Sequence, residues 1–454
     1  MKITRRVALR GLLTLPFAAR LATANAANLI APEILGQPTD TSITANVVPA
    51  KTLEVSYEYG TTPGVYPDKT APQTAAGGRP LETRLENLRP NTRYFYRLRY
   101  GDEVGPERSF HTQRPADAAF TFTVQGDSHP ERLGRQYHPD LYAKTLRSVA
   151  SARPDFHITI GDDFGLTNLR DPDAQKVRSL YLNQRQFLGL VGAPVFLGNG
   201  NHEQASRANL DGTPDNIAVW AQTARNSLFS QPAPDHFYSG NPERVEHIGL
   251  LRDYYAWTWG DALFVMIDLY WHSPVTVDTG FGEERGQRRQ RDMWGITLGE
   301  AQYRWLQRTL ETSTAKYKFV FSHHVNGTGR GGIELAKSFE WGDLAAFRTR
   351  RPGWELPIHQ LMAKHSVSIF FQGHDHLFVR QELDGVIYQS LPQPANPNHN
   401  LDENAEAYKS GVKLPNTGYL QVSVAPGEAT VGYVRTHLEK PDELAFVYKV
   451  AGRR

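Results

Sequence analysis

Period-two alternation of apolar and polar residues runs through the first quarter of the chain and then stops. Leu53, Val55, Tyr57 and Tyr59 alternate with Glu54, Ser56 and Glu58, and Tyr94, Tyr96, Leu98 and Tyr100 alternate with Arg93, Phe95, Arg97 and Arg99. Such alternation predicts strands with one buried face. Turn signals at Thr62-Pro63-Gly64, Gly77-Gly78 and Pro90-Asn91 separate the runs. Short strands over residues 27–115 with no helical period predict a small all-β sandwich. Arg114-Pro115-Ala116-Asp117 reads as a linker.

From residue 116 to 454 the pattern changes. Largely apolar strand-like runs end in polar clusters, and helical stretches such as Leu298 to Leu310 and Pro357 to Lys364 lie between them. Thr297-x-x-Glu300 predicts a capping box at the first of those helices. This is the pattern of an α/β domain, whose sites gather beyond the carboxyl ends of its strands.

Five clusters follow five such strands. Phe120 to Val124 leads to Gly126-Asp127-Ser128-His129, and Phe156 to Ile160 to Gly161-Asp162-Asp163. Pro194 to Leu197 leads to Gly198-Asn199-Gly200-Asn201-His202-Glu203. Lys318 to Phe321 leads to Ser322-His323-His324, and Val367 to Phe371 to Gly373-His374-Asp375-His376. Carboxylate, imidazole and amide oxygen suit Zn, Fe or Mn without any thiolate. Two cations about 3.5–4 Å apart need a bridging carboxylate and can hold both oxygens of an in-line displacement at phosphorus. In Asp127-x-His129 and His374-x-His376 both side chains can face the metals if the local chain is extended. A glycine before a cluster permits turns too tight for a β-carbon. Other histidines read differently: His157, inside a strand, as packed core, and His138, His236, His272 and His399 as solvated loop residues.

Composition narrows the field. The 454 residues are 40% hydrophobic and 22% charged, as in a soluble globular enzyme, and cysteine is absent, which excludes disulfides and thiol nucleophiles. The formal charge is +2, but residues 1–26 hold Lys2, Arg5, Arg6, Arg10 and Arg20 and no acid, which leaves the remainder at about −3. A mildly acidic body offers nucleic acid no electrostatic footprint. Residues 1–26 themselves read as a signal peptide, with a basic start, a short apolar stretch and Ala24-Asn25-Ala26 as a small-x-small cleavage site. Its adjacent arginines resemble a twin-arginine export signal. The expected protein is therefore exported, periplasmic or extracellular, with no membrane span in the mature chain, since no later apolar run reaches the roughly 20 residues a span needs.

The five clusters in this order resemble the calcineurin-like metallophosphoesterases over residues 118–454. The preceding sandwich and the Tyr254 to Asp268 segment resemble the purple acid phosphatase branch. Leu88-x-Pro90-x-Thr92-x-Tyr94 resembles the tyrosine corner of fibronectin type III domains, making Tyr94 structural. The fold implied is a two-sheet sandwich flanked by helices, preceded by a fibronectin type III-like sandwich. By that resemblance Asp127, His129, Asp162 and His376 hold one metal ion. Asp162 bridges to a second, completed by Asn201, His323 and His374. His202 acts on the leaving-group oxygen as general acid. Alignment of the strand ends favours His323 over His324 as ligand and leaves His324 near substrate. An arginine could clamp phosphate, either Arg330 or one of Arg285, Arg288, Arg289 and Arg291, the latter four reading better as a solvated loop. Purple acid phosphatases carry a metal-binding tyrosine three residues after the bridging aspartate; here that position is Gly165, and His129 stands in a motif where they lack a histidine. The activity implied is hydrolysis of a small phosphorylated substrate, a phosphate monoester, with a cyclic-nucleotide or phospholipid-headgroup diester as alternative. A non-catalytic, metal-stabilised binding protein is the alternative of another class.

Overall fold

The computed structural model describes residues 28–275, 277, 292–326, 329–338, 340–401 and 403–453. The leader reading of residues 1–26, the arginines at 285–291 and residues Gly327 and Thr328 lie outside these.

The alternating runs at the start form the expected β-sandwich. One sheet pairs Leu29–Gly36, Ile43–Pro49 and Leu81–Leu85; the other is built on Leu53–Gly60 and Arg93–Tyr100, with Arg108–His111 beside the latter. In Arg93–Tyr100 every second residue is buried, so Tyr94, Tyr96, Leu98 and Tyr100 fill the space between the sheets with Val47, Val55 and Tyr57. The Tyr94 hydroxyl accepts the Arg89 backbone N–H at 2.9 Å, closing the corner that the Leu88-to-Tyr94 spacing foretold.

Beyond the linker, two larger sheets face each other. The first runs Val195–Leu197, Phe156–Thr159, Phe120–Gln125, Gly418–Val424, Glu428–Arg435 and Glu443–Ala451, its first three strands parallel. The second has eight strands, with Ala262–Met266, Tyr317–Ser322, Ile369–Gln372 and Val386–Ser390 parallel at its centre. Such strands, covered on both faces, need apolar residues at successive positions, which is why they read as continuous runs. Phenylalanines fill the layer between the sheets: Phe122 meets Phe264 edge-on at 5.0 Å and Phe321 stacks on Phe371 at 4.9 Å. Helices Pro139–Ser151, Ala174–Leu188 and Ile217–Leu228 cover the outer face of the first sheet, and Gly299–Thr312 and Ile358–Lys364 that of the second.

The two sandwiches are docked. Arg185, buried on Ala174–Leu188, donates to the Asn46 side chain at 2.7 Å and the Pro32 carbonyl at 3.1 Å, and also to the Asn46 and Leu228 carbonyls. In the linker, Arg114 forks onto Asp155 at 2.7 and 3.0 Å.

Two local expectations need correction. The Thr297–Glu300 capping box does not close: Thr297 Oγ1 accepts the Gly299 N–H at 3.1 Å, while Glu300 turns to Arg304, one turn along, at 2.7 Å. His272 is not a solvated loop residue. Its side chain is buried, with Nε2 3.0 Å from the buried carboxylate of Asp253, which holds its pKa up against burial. His157 is core, as expected: its ring nitrogens meet Thr123 Oγ1 at 2.8 Å and Gln125 Oε1 at 3.2 Å, and burial pushes its pKa down to about 3.

Candidate metal centre

All five polar clusters leave their strands at one edge of the facing sheets and interlock through backbone hydrogen bonds. The His374 N–H donates to both oxygens of Asp127, at 2.9 and 3.0 Å. The His202 N–H donates to Asp162 Oδ1 at 2.8 Å, and the His129 N–H to the Asp162 carbonyl at 3.0 Å. Glu203 collects four N–H groups, from Gly200, Asp162, Asp163 and Phe164, at 2.5–3.1 Å. The approach between these two loops is so close that a β-carbon on Gly161, itself at φ +101°, would lie 2.3 Å from the Gly200 nitrogen.

The gapped pairs are not extended. His129, Asp162, His374 and His376 all adopt left-handed backbone, at φ 49°, 58°, 66° and 62°. Tight turns, rather than a strand's alternation, aim both members of each pair inward. Non-glycine residues pay of order 1–3 kcal/mol for such conformations and keep them where surroundings over-determine them, commonly at functional sites.

The side chains converge on two adjoining nests. In one, His376 Nε2 lies 3.2 Å from Asp127 Oδ2 and 2.9 Å from His129 Nε2, which is itself 3.6 Å from both Asp127 Oδ2 and Asp162 Oδ2. In the other, His323 Nε2 lies 3.2 Å from Asp162 Oδ2 and 3.2 Å from Asn201 Oδ1, and His374 Nδ1 is 3.1 Å from the same amide oxygen. Asp162 Oδ2 therefore faces both nests, and it has no hydrogen-bond partner among the described residues. His202 Nε2 is 3.9 Å from it.

Packing so many buried imidazoles and carboxylates nose to nose is costly unless cations sit among them. Burial would raise the Asp127 and Asp162 carboxyls, but His323 and the neighbouring imidazoles hold both far below the usual range. Against burial, Glu131 first and then Asp127 and Asp162 lift His129 to about 9, and Asp162 and Asp127 lift His323 to about 10. A metal ion binding such a set displaces the protons that the imidazoles would otherwise hold. The donor set, all oxygen and imidazole nitrogen, thus fits a pair of borderline or hard cations with Asp162 between them.

A sequence model of the calcineurin-like phosphoesterases matches residues 120–378. The chain belongs to that family. It is a metal-dependent phosphoric ester hydrolase, which disposes of the binding-protein alternative. No curated protein matches the sequence. Among solved structures, PhoD is similar at TM-score 0.66 and 14% identity, covering 95% of this chain and 93% of PhoD. A purple acid phosphatase, PPD1 from yellow lupin (Lupinus luteus) seeds, is similar at TM-score 0.62 and 16% identity, covering 93% of this chain and 75% of the lupin enzyme. At such identities the likeness is one of fold, and it spans the N-terminal sandwich as well as the phosphoesterase domain.

Gly165, the position where purple acid phosphatases carry their tyrosine, has a neighbour that sequence reading did not single out. Glu131 fills the space a side chain at 165 would need: a β-carbon there would meet its Oε2 at 2.2 Å. Glu131 Oε1 lies 2.8 Å from His129 Nδ1, turning Nε2 to the nest. His323 is fixed in the same way, its Nδ1–H donating to the Ile160 carbonyl at 2.9 Å. Asp163, next to Asp162, is buried with its carboxyl pushed up to about 7, by burial first and then by Asp127 and Asp162.

His324 stands against the second nest, its ring centred 3.5 Å from that of His374, with Nδ1 hydrogen-bonded to the Tyr270 hydroxyl and Nε2 without a hydrogen-bond partner among the described residues. His323, His324 and His374 together bring ligand atoms within 4.8 Å of one another. Arg330 is already engaged, donating to the His374 carbonyl and to Asp375 Oδ1 at 3.2 Å.

Proposed function

We propose that the protein is an exported hydrolase of phosphate monoesters. Asp127, His129, Asp162 and His376 would hold one cation, and Asp162, Asn201, His323 and His374 the other. When bound, the pair supplies Lewis acidity and an activated water. His202 gives the proton to the departing oxygen. What carries this reading is the setting of His202. Its side chain is 12% exposed, against 4% for His376 and none for His129 or His323, so it can reach a substrate. Its Nδ1 is anchored 2.6 Å from the Thr167 hydroxyl, which leaves Nε2 turned to the bridging carboxylate. A phosphorus atom drawn to the nests would present its ester oxygen to that nitrogen. His324 and Arg330 are candidates for contact with the phosphoryl oxygens from the second nest. Fe, Zn and Mn all suit the donors.

The test compares a matched aryl monoester and diester on protein of measured metal content. H202A is expected to keep its metals and lose roughly 10²–10⁴-fold in turnover of esters with poor leaving groups. Loss of metal in H202A would make the residue a ligand instead, and a wild-type preference for the diester would overturn the monoester assignment. Export belongs to the same proposal. Changing Arg5 and Arg6 together to lysine is expected to leave the uncleaved chain in the cytoplasm, which blotting of cell fractions reads directly.

A further inference from the structure

Among the described residues, a guanidinium on the first loop is placed to meet a phosphate and is less tightly engaged than that of Arg330. Arg132 closes the single turn Pro130–Arg132 that follows His129. Its base is rigid: the Arg132 carbonyl accepts N–H groups from Arg135, Gln136 and Tyr137 at 3.0–3.2 Å, and its own N–H donates to the His129 carbonyl at 2.9 Å. From this base the side chain reaches the site mouth, 23% exposed, with one terminal nitrogen 3.4 Å from His202 Nε2. The other donates to the neutral Gln136 amide at 2.5 Å. The nearest carboxylate, Glu131, is 3.5 Å from Nε, and its Oε1 is already taken by His129. Arg330 differs, with a carboxylate and a carbonyl on its guanidinium. Arg132 therefore stands beside His202 with a single, 3.5 Å ion pair among the described residues, to Glu131, and its field bears on both His202 and His376.

We propose that Arg132 binds the non-bridging oxygens of the substrate phosphoryl group and selects dianionic monoesters over singly charged diesters. This rests on the monoesterase reading above. A planar fork matches two phosphoryl oxygens at once, and a dianion gains more from it than a monoanion does. Gln136 fixes the plane of the fork, and the turn of left-handed His129 sets its height above the nests.

The experiment measures inorganic phosphate binding by calorimetry on metal-replete wild type, R132M, R132Q and R132K, alongside kinetics with a good-leaving-group aryl monoester and the matching diester. R132M and R132Q are expected to keep their metals and bind phosphate roughly 10–100-fold more weakly. KM for the monoester should rise similarly, with kcat changed by less than about threefold and KM for the diester moved less. R132K should recover part of the phosphate affinity. Wild-type phosphate affinity in either variant that retains both metals overturns the proposal. So does a fall confined to kcat, which would make Arg132 a positioning residue for His202. If wild type itself prefers the diester, the monoesterase reading fails, while the phosphate constants still decide whether Arg132 binds phosphoryl oxygen.

Discussion

The two sandwiches of this protein bury the same kind of material and finish their strands in opposite ways. Tyr57 meets Tyr96 in the first, much as Phe122 meets Phe264 in the second. Left-handed residues also occur in both. In the first they include Gln37, Asn87 and Asn91, in turns, with the two asparagines exposed. Asparagine tolerates that conformation well, so such turns cost little. In the second they include His129, Asp162, His374 and His376, all buried and all pointing polar atoms at one another. A strained, buried, polar strand end is a liability in a metal-free protein and an asset in a loaded one. The comparison teaches that the phosphoesterase domain is folded around a charge it does not itself contain, while the N-terminal sandwich gathers no such cluster among its described residues.

The hardest blow to that contrast falls on Asp162. D162A removes the oxygen that lies 3.6 Å from His129 Nε2 and 3.2 Å from His323 Nε2, and the expected result is loss of both metals and of hydrolysis down to background, read by metal analysis and steady-state kinetics. Hydrolysis unchanged in D162A would end the whole account. Chelation of wild type should show the same asymmetry without mutation. Ligand removal forfeits RT ln(1 + [L]/Kd), about 4 kcal/mol for a metal at a thousand times its Kd. Amide exchange should then quicken around residues 127–132, 161–165 and 199–204 and stay constant through Arg93–Tyr100.

A smaller effect is expected from Glu131. Partners behind a metal-bound imidazole fix its tautomer and orientation, and their loss typically costs 10–100-fold in metal affinity. E131A should fall in that range when metal binding is titrated by calorimetry. An affinity unchanged from wild type would mean that the turn Pro130–Arg132 alone orients His129.

Glu131 also marks where the sequence stopped being legible. Strand runs, helices, the tyrosine corner and the convergence of five clusters could be read because each rests on local periodicity or on residue types next to a turn signal. Glu131 lies two residues past a cluster, in a turn with no period, and its meaning depends on Gly165, 34 positions away. Arg132 was hidden for the same reason: a charged residue in a loop reads as solvated until its neighbours are known. His272 misled because Asp253, its partner, approaches from a different strand connection. The gapped pairs face inward by another means than the extended chain considered for them, because the strands end in left-handed turns whose geometry alternation does not carry. What was lost, in each case, was a pairing between loops rather than the identity of an element.

The slightest effect should come from Tyr94. Y94F deletes one hydrogen bond to the Arg89 N–H and no packing volume, worth about 0.5–1.5 kcal/mol. The melting temperature should fall by no more than about 2–6 °C, with metal content and kcat unchanged. The prediction is sharp because a route between the domains does exist. Helix Ala174–Leu188 holds Asn46 through Arg185, and through the next residue back, Gln184, it donates to Ser128 Oγ at 2.7 Å, between Asp127 and His129. Asn46, however, sits on the sheet of Leu29–Gly36, Ile43–Pro49 and Leu81–Leu85, whereas Tyr94 sits on the other one. A perturbation at Tyr94 has to cross the aromatic layer between the sheets before it meets that helix. If Y94F nonetheless lowers metal content, strain travels through that layer or through Arg93, 4.0 Å from Asp155 at the head of Phe156–Thr159, and the N-terminal sandwich is part of the metal centre's support rather than a self-sufficient neighbour.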